Sequence, residues 1–147
     1  LELFDEIDTR FDQTDVLIMA AAVSDYRVAN EADSKMKKMD DSGPVTIELT
    51  ENPDILKTMG DKKKEQFLVG FAAETDHLEK YAKKKLKEKN LDIIVANEVG
   101  RSDRGFNADE NQVILFTADG DRIDVPLTAK SEVANIIISK VIEDLNK

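Results

Sequence analysis

The sequence predicts an α/β fold, doubly wound around a mostly parallel, Rossmann-like sheet. Residues 16–23 read Val-Leu-Ile-Met-Ala-Ala-Ala-Val, apolar without alternation, as does a strand covered on both faces. Residues 67–71 (Phe-Leu-Val-Gly-Phe) and 92–96 (Asp-Ile-Ile-Val-Ala) repeat that style. Helical stretches separate the runs, and strand alternating with helix implies right-handed crossovers and parallel pairing.

Each element follows from a local pattern. Leu1, Leu3, Phe4, Ile7 and Phe11 form one face of a first helix, closed by polar residues 12–15. The strand at 16–23 follows at once. Residues 45–49 read as a further strand, and Asn52 and Pro53 suit the N-cap and first position of a short helix over 53–59. A second helix spans 75–89. Residues 113–116 pair with 122–125 through the turn Ala-Asp-Gly-Asp at 118–121. Val133, Ile136, Ile137, Val141, Ile142 and Leu145 mark a closing helix. With no internal repeat or low-complexity linker, the 147 residues are expected to form a single domain. Polar loops at 27–43 and 100–111 are too long for plain connectors and are candidates for ligand contact.

Composition narrows the function. A formal net charge of −10 opposes general affinity for nucleic acid or anionic membrane, which rests on many lysine and arginine contacts to phosphate. The chain has no cysteine, hence no disulfide framework and no thiol nucleophile, which fits a cytoplasmic protein. The longest apolar run, 16–23, is too short to span a bilayer, and the N-terminus does not read as a signal peptide. A start at Leu1 rather than methionine points to an excised fragment or a processed product.

Ligands of an open parallel sheet bind beyond the carboxyl ends of the strands, and Ala-Ala-Ala-Val-Ser-Asp at 20–25 is such an end. Asp25 there is either an acceptor for a base, ribose or amine, or a structural acid. Asn97 holds the equivalent place on another strand. Lys35, Lys37 and Lys38 cluster in an acidic chain, a pattern that serves phosphate neutralisation or simple solvation. In the helix over 75–89, Lys85 and Lys89 share the face of Leu78, Tyr81 and Ala82, while Lys80, Lys83, Lys84 and Lys87 project from the opposite face. An ammonium turned inward needs an anion or a route to water. The pair therefore either snorkels and complements the helix C-terminus, or serves a polyanion such as a nucleoside triphosphate. His77, the one histidine, reads as a surface residue at a helix start. Asp40 with Asp41, and Asp109 with Glu110, read as solvated loop acids. Neither a dinucleotide glycine fingerprint nor a P-loop is present.

The same residues carry a resemblance. Residues 20–27 (Ala-Ala-Ala-Val-Ser-Asp-Tyr-Arg), 35–38 (Lys-Met-Lys-Lys), 52–56 (Asn-Pro-Asp-Ile-Leu), 69–75 (Val-Gly-Phe-Ala-Ala-Glu-Thr), 89–92 (Lys-Asn-Leu-Asp), 94–97 (Ile-Val-Ala-Asn) and 105–107 (Gly-Phe-Asn) together resemble the bacterial phosphopantothenate-cysteine ligase (phosphopantothenoylcysteine synthetase) family over nearly the whole chain. The resemblance implies a CTP-dependent ligase of coenzyme A biosynthesis. It joins 4'-phosphopantothenate to L-cysteine through an acyl-cytidylate, with Mg²⁺, and is a homodimer. By motif, the nucleotide contacts it implies fall on Met19, Ala20, Ala21, Asp25, Lys35, Pro53, Asp54, Ile55, Leu56, Phe71, Lys85 and Lys89. It places Lys35 nearest the reacting phosphate as the catalytic group. Relative to that family, a front strand and a glycine-rich turn are expected to be missing before Leu1. The alternative reading is a non-catalytic nucleotide-binding α/β module, a sensor or an assembly subunit.

Overall fold

The computed structural model describes residues 1–35, 44–74, 77–98 and 109–147. In chain order, α1 (Glu2–Arg10) runs into a short 3₁₀ turn at Phe11–Gln13 and is followed by β1 (Val16–Met19), β2 (Tyr26–Val28) and β3 (Leu49–Glu51). Then come α2 (Ile55–Lys62), β4 (Phe67–Glu74), α3 (Leu78–Glu88), β5 (Ile93–Glu98), β6 (Glu110–Thr117), β7 (Arg122–Ala129) and α4 (Lys130–Leu145).

Five strands form one sheet in the order β1-β4-β5-β6-β7, and β2 pairs with β3 in a separate ribbon. The sheet is mixed, which corrects the mostly parallel, doubly wound expectation. β1–β4 and β4–β5 are parallel, whereas β5–β6, β6–β7 and the β2–β3 ribbon are antiparallel. The reason is connection length. A parallel neighbour needs a crossover of about a dozen residues or more. Only the turn between Thr117 and Arg122 joins β6 to β7, so they form a hairpin, and β6 pairs antiparallel with β5 as well. In that turn Gly120 takes a φ of 98°, a left-handed conformation that glycine adopts without steric cost.

Unalternated strands do meet cover on both faces, as the sequence implied. Leu68, Ile94 and Phe116 point into a core roofed by α1, α2 and α3, together with Phe11, Met59 and Leu86. Their neighbours Val69, Ile93, Val95 and Leu115 point the other way, toward Val133, Ile137 and Val141 of α4. Full burial of one such side chain contributes roughly 1.5–3 kcal/mol. Helices α2 and α3 cross closely at Gly60, where an added Cβ would lie 1.9 Å from the Lys89 carbonyl oxygen.

Several boundaries move from those expected. β1 stops at Met19, and residues 20–23 continue as exposed, unpaired chain. The strand expected at 45–49 is found at Leu49–Glu51, and Val45 and Ile47 are exposed. Asp54, not Asn52, caps α2, its carboxylate accepting a hydrogen bond from the Lys57 N–H at 3.0 Å. Asn52 instead ties two loops: its side-chain amide donates to the Ser24 carbonyl and its backbone N–H to the Asp25 carbonyl, both at 2.8 Å. Among the described residues no helix is long and apolar enough to cross a membrane.

Candidate functional site

The ends of β1, β4, β5 and β7 and the start of β6 meet at one edge of the sheet, and a cavity of about 880 Å³ opens there. This is within the roughly 300–1,000 Å³ range of small-molecule sites. One wall is the chain from Met19 through Tyr26, where alanines at 20–22 leave the backbone accessible. A second is residues 51–56, ending at the N-terminus of α2, and a third is Phe71, Ala72 and Ala73 of β4 with Asn97 of β5. Lys130, Val133, Ala134 and Ile137 of α4 close the remaining side.

The cationic part comes from a helix that ends at the far edge of the sheet. The last turn of α3 lies away from this cavity, yet Lys85 and Lys89 both line it. Side chains on a helix lean toward its N-terminus, here back toward the cavity edge. Lys85 thus reaches Glu74 at the end of β4, with Nζ 2.7 Å from its carboxylate, and Lys89 reaches Asp54 at 2.8 Å. Burial, the largest influence on Asp54, favours its protonated form. Hydrogen bonds from Lys89 and the Lys57 N–H more than offset this and hold the carboxyl below its ordinary pKa. The inward face of α3 is carried by Ala82 and Leu86, and the two lysines sit at its margin, with side chains 42% and 26% exposed.

Of the nucleotide contacts that the resemblance implied, all but Lys35 line this cavity. Lys35 is exposed and outside the lining. Lys37, Lys38, Asp40, Asp41 and residues 105–107 lie outside the described residues. His77 is exposed at the start of α3 with a φ of 50°. Asn97 takes its place in the wall, whereas Glu74 stood in the motif at 69–75 without being singled out as a site residue. Among the described residues no group of three or more histidine, cysteine or carboxylate side chains has the spacing of a metal site.

Fold and cavity define an α/β domain with a small-molecule site at the carboxyl edge of its strands and two lysines aimed into it. Residues 1–145 match the family model described as the DNA/pantothenate metabolism flavoprotein C-terminal domain, and the chain belongs to that family. It is 48% identical over 131 residues to the coenzyme A biosynthesis bifunctional protein CoaBC of Bacillus subtilis (strain 168), covering 89% of this chain and 32% of that protein. Identity to CoaBC of Escherichia coli (strain K12) is 38% over 144 residues, covering 97% and 35%. The chain thus spans about a third of the length of these relatives. A crystal structure of the C-terminal domain of CoaBC superposes with a TM-score of 0.79 at 36% identity, over 99% of this chain and 62% of that one. The DNA/pantothenate metabolism flavoprotein from Streptococcus pneumoniae, at 24% identity and a TM-score of 0.74 over 96% and 68%, shares the fold.

These matches correct the identification made from sequence. The family is named for the C-terminal domain of a flavoprotein, and the matched structure is the C-terminal domain of a bifunctional protein. The names carry coenzyme A biosynthesis; they carry no CTP-dependent ligase, no CTP or Mg²⁺, and no 4'-phosphopantothenate, L-cysteine or homodimer. Those expectations are therefore replaced by the family as named, in keeping with the cytoplasmic placement expected from composition. A flavoprotein family implies a flavin nucleotide, flavin mononucleotide being the smaller. The cavity is large enough for one, with Lys85 and Lys89 suited to its phosphate and Phe71, 38% exposed, to a ring face. Nothing among the described lining residues selects an isoalloxazine over a smaller ring, so no redox step is assigned to this cavity.

Proposed function

We propose that this chain acts as one domain of a larger coenzyme A biosynthesis enzyme and binds a phosphorylated small molecule of that route in the cavity. Lys85 and Lys89 take the phosphate. The backbone at Met19, Ala20 and Ala21 and at Pro53, Asp54, Ile55 and Leu56 packs against the organic part. Phe71 offers an apolar face, and Asp25 accepts hydrogen bonds from the ligand's polar groups. Lys35, exposed and outside the cavity lining, takes no part in this reading. The observation that carries the reading is that Lys85 of α3 and Lys89, which caps its end, both line the cavity at the edge where open α/β sheets bind ligands, Lys85 reaching Glu74 at the end of β4 and Lys89 reaching Asp54 at the N-terminus of α2.

Chemically, the site supplies positive charge and shape. A phosphate oxygen meeting both ammonium groups gains charge-assisted hydrogen bonds worth about 1.5–3 kcal/mol each. The surrounding small side chains hold the attached organic group close to the backbone. Calorimetric titration tests this, with phosphopantothenoylcysteine and flavin mononucleotide as separate probes. Saturable binding of at least one is expected, weakened about 10-fold or more by each of Lys85→Met and Lys89→Met. Failure of both probes at millimolar concentration, or wild-type affinity in the double variant, would overturn the assignment.

A further inference from the structure

Lys85 and Lys89 are already paired, but their two carboxylates differ in freedom. Asp54 is fixed from two sides, since the carboxylate that meets Lys89 also caps α2 through the Lys57 N–H. Swinging it away would uncap the helix. Among the described residues, the Glu74 carboxylate has no such second duty. It stands at the last position of β4, only 17% exposed at its side chain, and its carboxylate meets Lys85 across the chain from a different element. Its three side-chain torsions allow the carboxylate to leave while the strand stays in place.

We propose that Glu74 is an internal stand-in for the ligand's phosphate, occupying Lys85 in the free protein and displaced when a phosphate arrives. The inference rests on the cavity reading above and deepens it. An anion held 2.7 Å from Lys85 does two things. It keeps a flexible ammonium pointed along the cavity wall, and it competes with any incoming anion for that ammonium. Because the pair remains partly solvated, its contribution is modest and its displacement inexpensive, so a phosphate with two or more negative charges wins the exchange. Asp54, by contrast, stays in place and steers Lys89 without leaving.

The test is a double-mutant cycle in the intact chain with inorganic pyrophosphate as the probe, affinity being read by calorimetry and folding by thermal melting. Glu74→Gln removes the competing charge but keeps a hydrogen-bond acceptor, and is expected to tighten pyrophosphate binding about fivefold. Glu74→Ala removes the group altogether and is expected to tighten it likewise, so the result does not depend on one substitution. In a Lys85→Met background the tightening shrinks to under about twofold, because the anion no longer has a lysine to occupy. Equal tightening with and without Lys85 would mean general repulsion and overturn the stand-in role, as would unchanged or weaker binding in both Glu74 variants. If Lys85→Met binds pyrophosphate as wild type does, the cavity reading itself fails. If it loses binding while the Glu74 variants do not gain, this inference alone fails.

Discussion

At the β1–β4–β5 end of the sheet the strands run in one direction and finish at a shared edge, whereas at the β6–β7 end a tight turn sends the chain straight back. Both ends bury apolar residues, Leu68, Val69, Ile93 and Ile94 at the first and Val113, Leu115 and Phe116 at the second. They differ in what they do with charge. At the hairpin end Lys140 of α4 is 6% exposed and surrounded by Asp121, Glu143 and Asp144, with the Asp144 carboxylate 2.9 Å away. Its pKa is raised, chiefly by the Asp144 hydrogen bond and against burial. That cation is saturated with partners and joins a turn to a helix. At the parallel end Lys85 and Lys89 each have one carboxylate and an opening beside it. A lysine with several carboxylates is a fastener, and a lysine with one carboxylate beside a cavity is available to a ligand.

The first way to break this contrast is to cut the link between the ends. Phe116 comes from β6 but is fully buried in the core beneath α1–α3, with Lys83 5.3 Å and Arg122 5.9 Å from its ring centroid. Phe116→Ala is expected to lower stability by about 3–5 kcal/mol in urea unfolding. A single transition would show the two ends folding together, and two separated transitions would show that they do not.

Gly60→Ala should come next, at about 1–3 kcal/mol, because the added methyl meets backbone at Lys89 rather than a side chain that can turn aside. The shift it forces falls on the segment bearing a cavity lysine, so pyrophosphate affinity should drop as well. Wild-type affinity in a destabilised Gly60→Ala protein would show that the crossing of α2 and α3 does not set the position of Lys89.

The hairpin end should respond to acid. Burial, the largest influence on Asp144, raises its pKa, but the Lys147 and Lys140 hydrogen bonds outweigh it and leave the value lowered. A lowered folded-state value means that Asp144 contributes stability above its unfolded pKa of roughly 4, which is lost as pH falls through the folded value. Asp144→Asn should therefore cost about 1 kcal/mol at neutral pH and flatten the decline below about pH 4. Urea midpoints measured across that range check both parts, and an unchanged acid slope would remove the fastener role.

The smallest effect on stability is expected where the largest effect on binding lies. Lys85→Met with Lys89→Met should change unfolding free energy by no more than about 1 kcal/mol, since both pairs are partly exposed. A larger loss would make these lysines fasteners like Lys140.

Much of this was legible in the chain. The runs at 67–71 and 92–96 announced doubly covered strands because neither face had to be polar, and the lysine spacing on α3 announced a pair apart from its solvated neighbours. The β6–β7 hairpin was legible in the turn at 118–121, and its pairing is as expected. That β6 also runs against β5 was not legible, because a covered antiparallel strand reads as apolar as a parallel one. Glu74 was invisible for another reason: its partner lies eleven residues away on another element, and no local pattern marks a carboxylate that meets a lysine across the fold. The nucleotide contacts implied by the motifs, all but Lys35, line one cavity, while the activity attached to them was corrected by the matches of the whole chain.

The central claim, that the parallel end holds an anion site and the hairpin end does not, is tested most directly by following backbone amide resonances during titration with inorganic pyrophosphate. Saturable shifts are expected at residues 19–25, at 54–57 beside the α2 cap, and at Glu74, Lys85 and Lys89, with residues 118–122 and 138–147 unmoved. Shifts centred on the hairpin end around Lys140 and Lys147, or spread over the outer lysines Lys80, Lys83, Lys84 and Lys87 without saturation, would contradict it.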